Sequence, residues 1–322
     1  MISQAELRGI LVAVLTPFDE RGRPAALPLQ RHIRRLKTEG VDGVLLLGTT
    51  GEGPSLSVPE RMEILEAGLE AAVGMKRLAC TGSASLAETI ELTRHAFRAG
   101  AQAVVVQPPF FFKDVTDDGL FEFYRQVLEE AVPDGGLLAL YHIPQVTNVP
   151  IREELINRLL ARYGERLASI KDSAGDLDHF RALCARYPQL QLFTGNDQFL
   201  LDALRAGGVG CVSGVANVFA PLLAAVLQAH LRGKAQAGGL QARLTRAWDV
   251  LQRYQPYPSL LKALLSLRDQ DAGWRRVRPP LVPLPEPLLA EMARLLDEID
   301  LPPGFSWLGA AAGRALAGAS PT

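Results

Sequence analysis

Short runs of apolar residues recur along the first two thirds of the chain. They are rich in Val, Leu and Ile, and most of them stop at Gly, Pro or Thr. Eight runs share this pattern, at residues 10–17, 41–48, 77–82, 103–109, 137–144, 167–172, 190–195 and 208–214. Because both faces of each run are apolar, the pattern predicts parallel strands that are buried on both sides.

Amphipathic segments with recognisable helix starts separate these strands. Ser57–Glu60 and Ser85–Glu88 match the capping box, and Gly100 is placed to end the second of these helices. Eight strands that each precede a helix predict an α/β protein with a (β/α)8 TIM barrel. An open doubly wound sheet is the alternative, but it requires a Gly-rich phosphate-binding turn after the first strand, and residues 16–20 do not supply one.

The strand pattern stops at about residue 218. We therefore predict a barrel core over residues 1–218 and a C-terminal helical appendage over 219–322, which includes the last barrel helix. The helices of this second region are predicted at 219–232, 236–254, 257–268 and 288–299. The final segment, residues 309–322, has small side chains that bury little surface, so we expect a flexible tail.

Composition indicates a globular protein, since 48% of the 322 residues are hydrophobic and 21% are charged. The net charge of −1 gives no reason to expect a nucleic acid or a membrane as partner. Cys80, Cys184 and Cys211 are far apart, which favours a reducing, cytoplasmic location. The start of the chain has no basic leader before its apolar run, so no signal peptide is expected.

Lys171 ends the sixth predicted strand, at the barrel end where active sites lie. An amine nucleophile must be neutral, and apolar surroundings disfavour its ammonium form. Ser173–Asp176 is another capping-box pattern, so we expect a helix N-terminus just after Lys171 to disfavour the charge further. A solvated lysine without a function is the alternative, because most lysines are exposed.

The turn after the second strand, residues 48–53, has the sequence GTTGEG. Its glycines permit a tight turn with exposed N–H groups, and Thr49 and Thr50 add hydroxyl donors. Such a turn suits a small anion, and a carboxylate has the right size. Gly- and Thr-rich turns are common between strands and helices, so this motif alone does not identify an anion site.

Other chemically useful residues lie at further strand ends. Tyr141 ends the fifth strand, where its phenol could transfer protons or serve only in packing. The residues at the ends of predicted strands 2, 5, 6, 7 and 8 are Thr49, Thr50, Tyr141, Lys171, Gly195 and Ser213. Because a barrel brings these strand ends together around one mouth, we expect them to form one site.

No metal site is expected from the histidines. By strand alternation His142 points to the face opposite Tyr141, which favours a packing role. The other four histidines, at positions 32, 95, 179 and 230, show no spacing typical of metal ligands.

The order of these motifs resembles that of the dihydrodipicolinate synthase / N-acetylneuraminate lyase family of class I pyruvate aldolases. The resemblance covers nearly the whole chain, from about residue 15 to about residue 280. The motifs that carry it are GTTGEG (48–53), YHIP (141–144), IKDSAGD (170–176), GND (195–197) and GVGCVSGVANV (208–218). It implies a (β/α)8 barrel with a helical C-terminal part, a homo-oligomer (a tetramer or a dimer), and no metal or organic cofactor.

The resemblance also implies roles for the strand-end residues. Lys171 would form an imine with a 2-oxo acid, Tyr141 would relay protons, and Thr49 would complete this catalytic group. The expected substrate contacts are Thr49, Thr50, Gly195, Val212 and Ser213, with Val212 acting through its backbone carbonyl. The partners implied are small molecules, a 2-oxo acid such as pyruvate and an aldehyde. A protonated imine is an electron sink, so the adjacent carbon can become an enamine nucleophile.

Two departures from the family pattern bear on the substrate. Phe110 and Phe111 stand where many members carry a tyrosine pair, and Val146 stands where the synthases generally place an arginine. An apolar side chain cannot replace a guanidinium that binds a carboxylate. We therefore expect a 2-keto-3-deoxy sugar acid aldolase, whose substrate hydroxyls would contact Ser213, Thr147 and Asn217.

Three alternatives remain open. The first is 4-hydroxy-tetrahydrodipicolinate synthase. The second is a non-catalytic barrel that binds a 2-oxo acid, which Phe110 and Phe111 would permit. The third is a phosphate-binding barrel enzyme, in which residues 207–214 would form the phosphate loop.

Overall fold

Eight parallel strands close into a barrel in the computed structural model, which describes residues 2–299. The strands are β1 Gly9–Ala13, β2 Gly43–Leu46, β3 Lys76–Cys80, β4 Ala103–Val106, β5 Leu137–His142, β6 Leu167–Asp172, β7 Gln191–Thr194 and β8 Gly210–Ser213. Each strand pairs with its neighbour in sequence, and β8 closes the ring on β1. The predicted (β/α)8 fold is confirmed, and the open sheet is excluded.

Twelve helices accompany the strands within residues 2–299. Those of the barrel are α1 Ala26–Thr38, α2 Val58–Ala71, α3 Leu86–Arg98, α4 Asp117–Ala131, α5 Pro144–Thr147, α6 Glu153–Tyr163, α7 Leu177–Arg186, α8 Leu200–Arg205 and α9 Ala216–Leu231. The capping box of Ser57 and Glu60 is present at the start of α2. Ser85 caps α3, but Glu88 binds the hydroxyl of Ser83 instead of completing a box.

The start of α7 differs from the prediction. Asp176, and not Ser173, is the N-cap, since its carboxylate accepts from the backbone N–H groups of Asp178 and His179. The helix begins six residues after Lys171, at Leu177. The effect of this helix N-terminus on the charge of Lys171 therefore remains a prediction.

The C-terminal region continues with α10 Ala237–Leu251, α11 Tyr257–Asp269 and α12 Glu286–Asp297. The boundary expected at residue 218 falls inside α9, which packs on β1 and β8 as the last barrel helix. No helix within residues 2–299 is long and apolar enough to cross a membrane. The tail predicted at 309–322 lies outside the described residues.

Two apolar clusters separate the inside of the barrel from its outside. The larger one lies between the strands and the surrounding helices. The smaller one fills the barrel with alternate strand residues, and it includes Leu11, Tyr141, Phe193 and Val212. Because alternate residues of a strand face opposite sides, this partition decides which strand-end residues point into the barrel.

Candidate active site

Lys171 lies at the penultimate position of β6 and is only 4% exposed. It is paired in register with Tyr141 on β5 and with Phe193 on β7, so its side chain shares their inward face. Its ammonium nitrogen lies 3.9 Å from the centre of the Tyr141 ring. The predicted lysine is therefore buried at the C-terminal end of the barrel, against an aromatic face.

Tyr141 connects Lys171 to the turn after β2. Its hydroxyl lies 3.3 Å from the Oγ1 atom of Thr49, whose side chain is at the exposed rim of the barrel. The Lys171 nitrogen thus contacts the face of the Tyr141 ring, and the Tyr141 hydroxyl contacts the threonine hydroxyl at the mouth. This arrangement can move a proton between a group bound at the lysine and the opening, because a phenol both donates and accepts.

The GTTGEG turn has one tightly determined backbone conformation. Leu47 and Glu52 both adopt left-handed φ values, of 63° and 55°. Gly51 and Gly53 permit close backbone contacts, since a Cβ atom would lie 2.6 Å from the carbonyl oxygen of Val14 in the first case and 2.0 Å from that of Leu47 in the second. The geometry confirms the predicted tight turn, and it presents Thr49 beside Tyr141.

Gly195 and Val212 lie near the same end of the barrel. A Cβ atom on Gly195 would lie 1.9 Å from the hydroxyl oxygen of Ser173, so the glycine permits β6 and β7 to end close together. The backbone N–H of Gly195 donates to the carbonyl of Asp172 over 2.6 Å. The Val212 side chain packs inside the barrel. The substrate contacts predicted for these two residues remain predictions.

Three residues that we expected to bind substrate hydroxyls hold backbone groups of the fold. Ser213 has no exposed surface, and its hydroxyl accepts from the N–H of Ala216 at the start of α9. The Thr147 hydroxyl donates to its own turn, and the Asn217 amide donates to the carbonyls of Ala13 and Gly214. Each side chain thus satisfies buried backbone groups, and the substrate contacts predicted for these three residues remain predictions.

Asp197 is a further candidate site residue. It is the last residue of the GND motif, and the sequence pattern alone does not indicate a role for it. It is 1% exposed, and neither carboxylate oxygen has a hydrogen-bond partner of good geometry among the described residues. Burial raises its pKa to about 7, against smaller opposing effects of the Ser213 hydroxyl and of Lys171. An unsatisfied buried carboxylate lowers the stability of the folded state. Groups with such a shifted pKa are common at functional sites, which makes Asp197 a candidate.

His142, Asp172 and His179 lie together outside the barrel, which the sequence spacing did not indicate. Their potential metal-binding atoms are all within 4.8 Å of one another, and they form the single such group within residues 2–299. The N–H of Ile151 donates to Nδ1 of His142, so the neutral imidazole carries its proton on Nε2. A metal-binding imidazole normally donates through its other nitrogen, and this one accepts, so the residues present do not fit a metal.

An ion pair between His179 and Asp172 explains why these side chains lie close together. Nδ1 of His179 lies 3.2 Å from the Asp172 carboxylate, which raises the pKa of His179. Burial lowers the pKa of His142, despite the charge of Asp172. As predicted, His142 points away from Tyr141, on the opposite face of β5.

Comparison with known proteins decides the family. Residues 6–299 match the model of the dihydrodipicolinate synthetase family. The chain belongs to this family. Members are pyruvate-dependent lyases and synthases, and this chain is accordingly a lyase of the dihydrodipicolinate synthetase family.

The matches to individual relatives cover most of this chain and almost the full length of each relative. An uncharacterized DapA-like lyase of Chloroflexus aurantiacus is 38% identical over 92% of this chain and 98% of its own. A 4-hydroxy-tetrahydrodipicolinate synthase of Parasynechococcus marenigrum is 34% identical over 89% and 93%. The structure of YagE, a prophage protein from E. coli K12 in complex with pyruvate, superposes with a TM-score of 0.85 at 28% identity, over 91% and 98%.

The outer rim of the mouth carries exposed apolar side chains. Phe111 and Phe112 are more than 70% exposed, and their rings contact edge to face at 5.3 Å. Val146 is 59% exposed on the turn after β5. The Lys113 ammonium donates to the carbonyl of Thr147 over 2.9 Å, so one cation lies beside the Val146 position. Its charge is solvated, and an ammonium lacks the planar fork of a guanidinium.

Proposed function

We propose that this protein is a class I aldolase that holds pyruvate as an imine on Lys171 and cleaves a 2-keto-3-deoxy sugar acid. The observation that carries the proposal is the arrangement of Lys171 against the Tyr141 ring, with the Tyr141 hydroxyl next to Thr49. This arrangement joins a buried amine to a proton relay. The turn that carries Thr49 and Thr50 binds the substrate carboxylate through its hydroxyls and N–H groups.

In the proposed cleavage, the Lys171 amine attacks the keto carbon, and loss of water forms the protonated imine. The Tyr141 phenol gives its proton to the hydroxyl that leaves as water, and the resulting phenolate accepts the proton of the C4 hydroxyl as the bond between C3 and C4 breaks. The bonding electrons move into the imine and give an enamine, and the C4 fragment leaves as an aldehyde. Protonation of the enamine carbon and hydrolysis release pyruvate and restore Lys171. The reaction is redox-neutral, because the water released when the imine forms is consumed when the imine is hydrolysed.

The choice of a sugar acid depends on the rim. Val146 offers no charge to a second carboxylate, and the exposed phenylalanines of this rim are apolar as well. A neutral polyhydroxy aldehyde suits a rim that lacks a guanidinium. The competing candidate is 4-hydroxy-tetrahydrodipicolinate synthase, which is favoured by the Lys113 ammonium beside Val146 and by the similarity to named synthases.

Further parts of the proposal follow from the family. We expect catalysis without metal or organic cofactor, a homo-oligomer, and a cytoplasmic location. The three cysteines are buried and unpaired among the described residues, in agreement with a reducing compartment.

The mechanism is tested by borohydride reduction in the presence of pyruvate, followed by peptide mass spectrometry. We expect inactivation and one reduced adduct, on Lys171. Lys171→Arg should abolish trapping, because arginine stays protonated, whereas the matched variant Lys37→Arg at an exposed position should be trapped normally. An adduct confined to Lys113 or Lys262 would refute the assignment, and a protein that is trapped but turns over no aldol would be a 2-oxo acid-binding barrel.

The substrate is tested by comparing two reactions on one preparation. We expect kcat/KM for cleavage of 2-keto-3-deoxy sugar acids to exceed kcat/KM for condensation of pyruvate with aspartate semialdehyde. Lys113→Met should leave the cleavage reaction unchanged. Efficient condensation that is lost in Lys113→Met would instead establish the synthase and assign the second carboxylate to Lys113.

A further inference from the structure

A buried ion pair links the C-terminal region to the GTTGEG turn. The ammonium of Lys262, on α11, contacts the carboxylate of Glu52, and their side chains are 0% and 1% exposed. Lys262 also donates to the carbonyl of Arg276 over 2.9 Å and lies 4.1 Å from the centre of the Phe18 ring. The described residues therefore shield both members of the pair from solvent.

Such a pair is costly to build. Removing an ammonium and a carboxylate from water carries a penalty that their mutual attraction only partly offsets. Burial lowers the pKa of Lys262 to about 8 in spite of the opposing effect of Glu52. An apolar pair of similar volume would stabilise the fold at least as well, so stability alone does not account for these two residues.

The position of Glu52 in the turn suggests what the pair does. Glu52 has a left-handed backbone, and its N–H donates to the carbonyl of Thr49 over 3.1 Å. Its second carboxylate oxygen accepts from the backbone N–H of Arg278 over 3.2 Å. A non-glycine residue in this conformation persists only where its surroundings determine it, and here the determining contacts come from the C-terminal region.

We propose that Lys262 and Glu52 are positioning residues, which hold Thr49 and Thr50 in the conformation that binds the substrate carboxylate. The inference rests on the proposed function, since it assigns that carboxylate to the turn. It gives the C-terminal region a part in substrate binding, although no residue of 219–299 forms a hydrogen bond or ion pair with Lys171. Loss of the pair should weaken binding of the 2-oxo acid and leave the chemistry at Lys171 and Tyr141 largely intact.

The test measures borohydride trapping as a function of pyruvate concentration, together with thermal unfolding. The variants are Lys262→Met, Glu52→Gln and the double variant, which removes both charges. A matched control is Arg268→Met, because Arg268 lies on the same helix and forms a largely buried pair with Glu39, which follows the C-terminal end of α1. Arg268 lies about 9 Å beyond Lys262 along α11, and its hydrogen bonds go to Glu39 and to the carbonyl of Val218, not to the turn.

We expect Lys262→Met to raise the half-saturating pyruvate concentration about 10-fold, which corresponds to about 1.4 kcal/mol in binding free energy. The limiting trapping rate should stay within about 2-fold of the wild type. The double variant should regain thermal stability, because no unpaired buried charge remains, yet keep the raised half-saturating concentration. Arg268→Met should lose stability without a change in half-saturation.

Two results would overturn the inference. One is a double variant that regains stability and half-saturates like the wild type, and this variant decides the matter even when Lys262→Met does not fold. The other is an Arg268→Met protein whose half-saturation rises as much as that of Lys262→Met. If pyruvate fails to trap the wild type, the proposed function fails instead, so the two failures are distinguishable.

Discussion

Tyr141→Phe separates the chemistry of the site from its structure. The substitution removes one oxygen atom and leaves the ring in place. The ring lies 3.9 Å from the Lys171 nitrogen and packs inside the barrel, so burial and the cation–π contact are kept. The only hydrogen bond lost in the described structure is the 3.3 Å contact with Thr49.

The structure sets the two expected magnitudes. Loss of one long hydrogen bond to a residue at the exposed rim should lower the free energy of unfolding by about 1 kcal/mol or less. Loss of the group that takes the C4 proton should lower kcat by roughly 10²–10⁴, which corresponds to about 2.7–5.4 kcal/mol in activation free energy. The catalytic effect should therefore exceed the structural effect several-fold.

The assay compares steady-state aldol cleavage, pyruvate trapping and thermal unfolding for the wild type and two variants. Tyr124→Phe is the control, because Tyr124 is fully buried and its hydroxyl donates to the carbonyl of Val106, outside the barrel. This control should lose stability and keep kcat. Tyr141→Phe should show the reverse, with trapping still saturable by pyruvate.

An unchanged kcat in Tyr141→Phe would refute the reasoning. It would show that protons reach the bound substrate by another route, and Tyr141 would then be a packing residue. A fall in kcat that is matched by an equal loss in the Tyr124→Phe control would also count against the relay, because the effect would then follow from stability alone.

Two further predictions concern pH. The pKa of Asp197 is raised from 3.8 to about 7, so its charge destabilises the folded state fully above pH 7 and not at all below pH 4. Asp197→Asn should therefore raise the free energy of unfolding most at pH 8, by up to about 4 kcal/mol, and a loss of stability at pH 8 would contradict this. The pKa of His179 is raised by the Asp172 carboxylate, so this pair stabilises the fold fully below pH 6.5 and less as the pH rises through the pKa of His179 in the folded state. His179→Gln should therefore lower the unfolding temperature more at pH 5.5 than at pH 8.5. Equal losses at both pH values would show that the ion pair contributes nothing.

The barrel and the strand ends that form its candidate site were accessible from the sequence. Buried parallel strands leave a local signal, because each run is apolar on both faces and each is followed by a helix start. Eight alternating units predict a closed barrel, and closure brings the ends of β5 and β6 together. Lys171 and Tyr141 were predicted on this basis, and their adjacency is confirmed.

Some signals in the sequence were present but ambiguous. Lys262 interrupts the otherwise apolar start of α11, and Asp197 lies directly after a buried strand. An isolated charge in either place is usually solvated, since its helix or loop has an exposed side. Only the packing of α11 on the GTTGEG turn, and the burial of the segment after β7, turn these charges into candidates for function.

The tertiary structure alone decided how each polar group is used. Ser213 ends β8, and Thr147 and Asn217 lie in the helices that follow β5 and β8. Their side chains satisfy backbone groups, in the case of Asn217 one that lies 204 residues away in the chain. His142 and His179 show no ligand spacing, yet they lie together because β5 and α7 meet. Apolar patterns are local and repeat with the period of a helix or strand, whereas a hydrogen bond depends on positions within a few tenths of an ångström. Those positions exist only after the whole barrel has closed.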